Sequence, residues 1–176
     1  MRNWMPAALP AVVAGLFSSH GQAAEMNLTF ELPRLNVAEY HRPYVAVWVE
    51  QLDQNVAANL AVLYDLRTKG AEGAGSKWLK DLRTWWRKSG RELQMPLDGV
   101  SGATKPAGEH TLSFVEGKAP LAKLPAGEYR LVIEAARESG GREVVKLPFS
   151  WPSKKAQRLS AAGSSELGAI QLELKP

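Results

Sequence analysis

Apolar residues recur with a period of two along most of this chain, and that period limits the fold more than any other feature. Asn27-Leu28-Thr29-Phe30-Glu31-Leu32 alternates polar and apolar, so one face turns inward and one outward, as in a half-buried strand. Pro43 to Glu50 is β-branched and aromatic and apolar on both faces, the pattern of a central strand. Asn59 to Tyr64 is similar. Further runs cover His110 to Val115, Gly127 to Ala135, Glu143 to Trp151 and Ala169 to Leu174. Gly140-Gly141 reads as a hairpin turn between two of them, and Pro125-Ala126-Gly127 opens the strand before it.

Short strands divided by turn signals predict an all-β chain with one helix. The expected architecture is an antiparallel β-sandwich of the immunoglobulin or fibronectin type III kind, with a single amphipathic helix inserted. The helix is expected from Ser76 onward, where Trp78, Leu79, Leu82, Trp85 and Trp86 share one face. Lys77, Lys80, Arg83, Arg87 and Lys88 fill much of the rest. Ser76 suits an N-cap and Gly90 a stop. The stretch Lys69 to Gly75, rich in Gly and Ala, leads in as a loop. Ser153 to Ser165 is polar, small and basic, and reads as a long loop or mobile arm before the last strand.

The N-terminus departs from all of this. Arg2 precedes an uncharged, mostly apolar run from Met5 to Phe17, and Gly21-Gln22-Ala23 offers small residues for cleavage. These parts read as an export signal over Met1 to Ala23, cut near Ala23. The run is shorter than the ~20 apolar residues that span a bilayer, and no second apolar span follows. Residues 24–176 then form one exported domain, expected to work outside the cytoplasm. The chain has no cysteine, which excludes disulfides, iron–sulfur clusters, thiolate zinc sites and covalently attached c-type haem. Its net charge of +4 is modest and, with export, argues against a nucleic-acid partner.

The stretch that carries chemistry is Asp98-Gly99-Val100-Ser101-Gly102-Ala103-Thr104. Read from its residues alone, it is a loop between helix and strand, with Ser101-Gly102 as a turn pair. Thr104 offers a hydroxyl among small neighbours, which a modifying enzyme can draw into its own cleft. The same residues also suit a plain turn closed by an Asx-type bond from Asp98. Asp98, Ser101, Gly102, Ala103 and Thr104 resemble the acceptor pattern Asp-x-x-(Ser/Thr)-Gly-Ala-(Thr/Ser) of the FAD:protein FMN transferases. That resemblance implies FMN joined through a phosphoester to Thr104: the hydroxyl attacks the FMN phosphorus of FAD and AMP leaves. Asp98 would steer the transferase's metal or hold the loop.

A wider resemblance covers roughly Leu28 to Leu174. Arg42 to Glu50, the Trp78-to-Trp86 helix, Asp98 to Thr104, Pro125 to Tyr129 and Ile133 to Arg137 are similar to domain-of-unknown-function family 2271, predicted periplasmic proteins. The resemblance implies a flavin-carrying redox protein, rather than an enzyme, that works with a membrane electron-transfer protein of PepSY type. The alternative class is a ligand- or partner-binding sandwich without cofactor, accessory to a membrane redox complex.

Other side chains fit less specific roles. Trp48 and Trp151 fall in strands, and Trp78, Trp85 and Trp86 on the helix face, where core packing is the simplest role. Trp85 or Trp86 is the choice for edging an isoalloxazine ring, since the helix leads toward Asp98. The basic helix residues read as a solvated face or as complements to a flavin phosphate or an acidic redox partner. Beyond the signal, His41 and His110 are the only histidines, so no catalytic triad or histidine metal site assembles from local motifs.

Overall fold

The computed structural model describes residues 23–66, 75–138 and 140–176. The expected export signal therefore lies outside the described residues except for Ala23, as does the Lys69-to-Ala74 part of the lead-in to the helix. Among the described residues, nine strands form two sheets packed face to face. They are β1 (Glu25–Leu32), β2 (Tyr44–Gln51), β3 (Val56–Tyr64), β4 (Ser101–Ala103), β5 (Gly108–Val115), β6 (Gly127–Ala136), β7 (Arg142–Trp151), β8 (Gln157–Ala162) and β9 (Ala169–Lys175). One sheet has the order β5-β1-β9-β8 and the other β4-β3-β2-β6-β7.

The alternation seen in the sequence becomes the core. Met26, Leu28, Phe30 and Leu32 of β1 and Ile170, Leu172 and Leu174 of β9 turn inward. They meet Val45, Val47 and Val49 of β2 and Leu131, Ile133 and Ala135 of β6. The order of the larger sheet corresponds to strands C″-C′-C-F-G of a variable-type immunoglobulin domain, with β1 and β5 in the places of B and E. A second mark of that fold is present. Tyr129, near the start of β6, donates its hydroxyl to the Pro125 carbonyl oxygen at 2.8 Å, the geometry of a tyrosine corner.

The central strands β2, β3 and β6 are apolar on both faces because both are covered. Ala46, Trp48, Val62, Tyr64, Val132 and Ala136 point away from the sandwich and meet Leu79, Leu82, Trp85 and Val100. These form a second core beneath a helical layer. The layer is not the single helix the sequence predicts. It comprises a 3-10 turn at Ser76–Asp81, a short α1 at Arg83–Lys88 and another 3-10 turn at Gly90–Glu92.

The break falls at Leu82, whose φ of −73° and ψ of 67° are not helical. Beyond it the first N–H groups of α1 turn to a carboxylate of the sheet, with Thr84 N and Trp85 N donating to Glu134 at 3.0 and 2.8 Å. The N-cap position of the first turn falls on Gly75, one residue before Ser76. Gly90 lies under the Trp85 ring, where a Cβ would come within 2.5 Å of it.

Two other expectations are corrected. The segment Ser153 to Ser165 contains β8, an edge strand paired in full register with β9. Its side chains are mostly small or polar because its outer edge and one face meet water. The Asp98-to-Thr104 segment is a tight turn followed by β4, and β4 runs parallel to β3, so the sandwich is not wholly antiparallel. A parallel neighbour needs a crossover, and the helical layer supplies it.

The loop before β9 is held by one carboxylate. Glu143 accepts from Ser164 N at 2.6 Å, Ser165 N at 3.0 Å and Leu167 N at 2.9 Å. Burial pushes its pKa up, but these bonds outweigh burial and bring it to about 2. Because the folded value lies below the ordinary 4.5, the contribution is complete above about pH 5 and fades toward pH 2. For a partly exposed group we expect about 2 kcal/mol after screening. Urea unfolding between pH 7 and 3 should show Glu143→Gln destabilised at pH 7 and less acid-sensitive than wild type. Equal pH slopes would remove Glu143 from this role.

Candidate functional site

The returning crossover sets the geometry of the Asp98-to-Thr104 turn. Ser101 N donates to the Leu97 carbonyl at 2.9 Å, and Leu97 N donates to Ser101 Oγ at 2.9 Å. Ser101 closes the turn, and Asp98 stands exposed on its outside. Gly99 adopts φ +70°, a conformation that favours glycine. Val62 N donates to the Val100 carbonyl at 2.9 Å and Thr104 N to the Tyr64 carbonyl at 3.1 Å, so β4 is tied to β3 at both ends. Gly102 has a packing reason: a Cβ there would lie 2.8 Å from Leu63 Cδ2. Ala103 is exposed, and Thr104 is half-buried.

Thr104 lines a cleft of about 310 Å³ where the ends of several elements meet. Tyr40, His41 and Arg42 come from the β1–β2 connection, and Tyr44 from the start of β2. Asp65 follows β3, Ala136 and Glu138 come from the end of β6, and Trp78 and Asp81 from the first 3-10 turn. The cleft therefore has three aromatic side chains, one guanidinium and three carboxylates around the Thr104 position. His41 Nε2 lies 3.2 Å from Glu39 Oε1 and its Nδ1 3.7 Å from Glu138 Oε2. Burial pushes the Tyr44 hydroxyl up in pKa, against a hydrogen bond with the Asp65 backbone. The carboxylates of Asp65, Glu138 and Asp81 add to the rise.

A second concavity of about 420 Å³ lies on the other side of β4. Gly99 to Ala103 face Leu112, Ser113 and Phe114 of β5 across it. The motif thus forms a wall between two hollows, and Thr104 opens on the polar and aromatic one.

The structure gives Trp85 the core-packing role that the sequence favours and places Trp78, not Trp85 or Trp86, at the cleft. Trp85 is fully buried in the second core, its Nε1 donating to Asn59 Oδ1 at 2.8 Å. Trp86 is half-buried and packs against that core, with its ring centroid 6.3 Å from that of Trp85. Neither lines the cleft. Trp78 does, and it is 36% exposed. Tyr40, Arg42, Tyr44 and Asp81 also enter the site without having been singled out. The available signal was Tyr40-His41-Arg42-Pro43-Tyr44, an aromatic and basic cluster leading into a central strand.

The basic side chains divide in two. Lys88 and Lys146 reach the buried Glu50 at 3.2 Å each. Burial pushes Glu50 up, but hydrogen bonds from Trp48, Lys146 and Lys88 hold it below the ordinary carboxylate range. Lys77, Lys80, Arg83 and Arg87 are not tied to Glu50 in this way, and all four are exposed.

These features define an immunoglobulin-like sandwich with a helical layer on its larger sheet and a cleft at the strand ends. Among the described residues, no helix is long and apolar enough to cross a membrane. The chain belongs to the family DUF2271, described as a predicted periplasmic protein, which it matches over residues 25–169. No curated protein matches it.

Proposed function

We propose that this chain is a periplasmic flavin carrier bearing FMN in phosphoester linkage to Thr104. The observation that carries the reading is the Asp98-to-Thr104 motif, whose last residue lines the aromatic cleft. The residues around that position suit the group. Gly102 and Ala103 add little bulk beside Thr104, and the bond from Thr104 N to the Tyr64 carbonyl holds the backbone that carries the hydroxyl. In the attachment step Thr104 Oγ forms a bond to the FMN phosphorus of FAD. The pyrophosphate P–O bond breaks, AMP leaves, and the hydroxyl proton passes to a base of the FAD:protein FMN transferase. Positioning and charge stabilisation, the main demands of phosphoryl transfer, would come from that enzyme.

Once attached, the flavin exchanges one or two electrons, and the domain supplies orientation and electrostatics. A membrane electron-transfer protein of PepSY type is the proposed redox partner. Export through the Met1-to-Ala23 signal would bring Thr104 to the transferase.

The test is a mass measurement on the exported protein made with and without the transferase. We expect a gain of one FMN less water only with the enzyme. An unmodified chain, in cells where the transferase demonstrably modifies another acceptor, would overturn the reading. A second reading rests on the cleft itself. Tyr40, Tyr44 and Trp78 beside Asp65, Asp81 and Glu138 also suit a small ligand in a cofactor-free binding module. An unmodified chain with a small molecule retained through purification would favour it.

A further inference from the structure

We infer that the cleft beside Thr104 seats the isoalloxazine ring itself, with Trp78 as the principal positioning residue and Tyr40 and Tyr44 as the other aromatic walls. This rests on the reading of Thr104 as the flavin attachment residue. A flavin tethered to an exposed hydroxyl could trail in solvent. Here the attachment residue opens on a concavity of about 310 Å³ that has three aromatic side chains. A planar, polarisable ring gains most from such walls through offset or edge contacts.

Trp78 stands out among the five tryptophans of the described residues. Trp48, Trp85 and Trp151 are buried in the two cores, whereas Trp78 is 36% exposed at the cleft. Trp78 and Tyr40, 36% and 37% exposed, line the same cleft, so the exposed aromatic surface is gathered at one site and not scattered. Its ring is also restrained. Lys77 Nζ lies 4.9 Å and Lys80 Nζ 5.8 Å from the ring centroid, within cation–π range. The neighbouring Leu79 is locked into the second core. Restraint before binding lowers the ordering cost of contact. Of the charged groups nearby, Lys77, Lys80 and Arg42 would favour a ring that becomes more electron-rich on reduction, and Asp65, Asp81 and Glu138 would oppose it.

The inference predicts optical behaviour that attachment alone does not. The flavin-loaded protein, checked by mass for one FMN per chain, should fluoresce weakly and with high anisotropy, because a seated ring is quenched by aromatic contact and tumbles with the protein. Trp78→Ala should keep its FMN mass, brighten several-fold and lose anisotropy as the ring swings free on its tether. Trp78→Phe should recover part of both signals. Equal brightness and anisotropy in wild type and Trp78→Ala at full loading would overturn the seat and leave the attachment reading intact. Absence of the FMN mass from wild type would overturn both.

Discussion

Replacing Glu134 by alanine should destabilise the protein by about 3 kcal/mol and loosen the helical layer from the sheet. Glu134 is 0% exposed. One carboxylate oxygen accepts Thr84 N at 3.0 Å and Arg142 Nη1 at 2.8 Å, and the other accepts Trp85 N at 2.8 Å. The group does three things at once: it caps α1, joins the layer to β6 and offsets the Arg142 charge. No side chain near the start of α1 provides a local cap, so these N–H groups would lose their partner.

Arg142 is 37% exposed, so water would hydrate it after the change, which keeps the expected loss at the low end of the range for broken buried pairs. Glu134→Gln retains an acceptor oxygen and the shape, and should lose about half as much. Urea unfolding measures the loss, and near-UV circular dichroism, to which Trp48 and Trp85 of the second core contribute, reports the layer. A change below about 1 kcal/mol in Glu134→Ala, the range of an ordinary surface pair, would show that Glu134 does not hold the layer.

The same carboxylate explains what the sequence could and could not disclose. Strands β1, β2, β3, β5, β6, β7 and β9 were legible because period-two burial is a local property, written in Leu28, Phe30 and Leu32 or in Val45, Val47 and Val49. The two-faced apolar run of β2 also announced a covered outer face. The break in the helical segment was hidden, since its cause is a glutamate some fifty positions away in sequence. Helical periodicity records which side chains share a face and not whether the backbone between them is continuous. β8 was missed because an edge strand with small and polar residues resembles a loop. β4 was missed because three residues cannot show a period, and its pairing depends on how the crossover returns. At the site, the motif was legible residue by residue. The cleft was not, because Tyr40, Trp78 and Glu138 meet only after β2, the crossover and β6 are in place. Trp85 and Trp78 share a helix face in the sequence pattern, yet the break at Leu82 sends one into the core and leaves the other at the surface.

The Thr104 position carries the other large effect. Thr104→Ala should abolish FMN attachment, and Thr104→Ser should preserve it, because the serine keeps the nucleophilic oxygen. The fold should tolerate both: the side chain is half-exposed, and the bond to the Tyr64 carbonyl uses the backbone N–H. Neighbouring substitutions separate chemistry from geometry. Gly102→Val would force a Cβ against Leu63 Cδ2, where 2.8 Å is available, so β4 must move or Leu63 must repack, at a cost of about 1–3 kcal/mol. Loading should fall although Thr104 is intact. Ser101→Ala removes the acceptor for Leu97 N, with a loss of about 1 kcal/mol and partial loading. Asp98 is exposed, so Asp98→Asn should leave stability unchanged. If its carboxylate acts in the transfer, loading falls nonetheless; if full loading persists, Asp98 has no part in the step. Mass analysis after exposure to the transferase reads loading, and urea midpoints read stability. FMN mass retained in Thr104→Ala would place the attachment elsewhere. Loading that fell strictly with stability across the series would show that the transferase responds to unfolding and not to this hydroxyl.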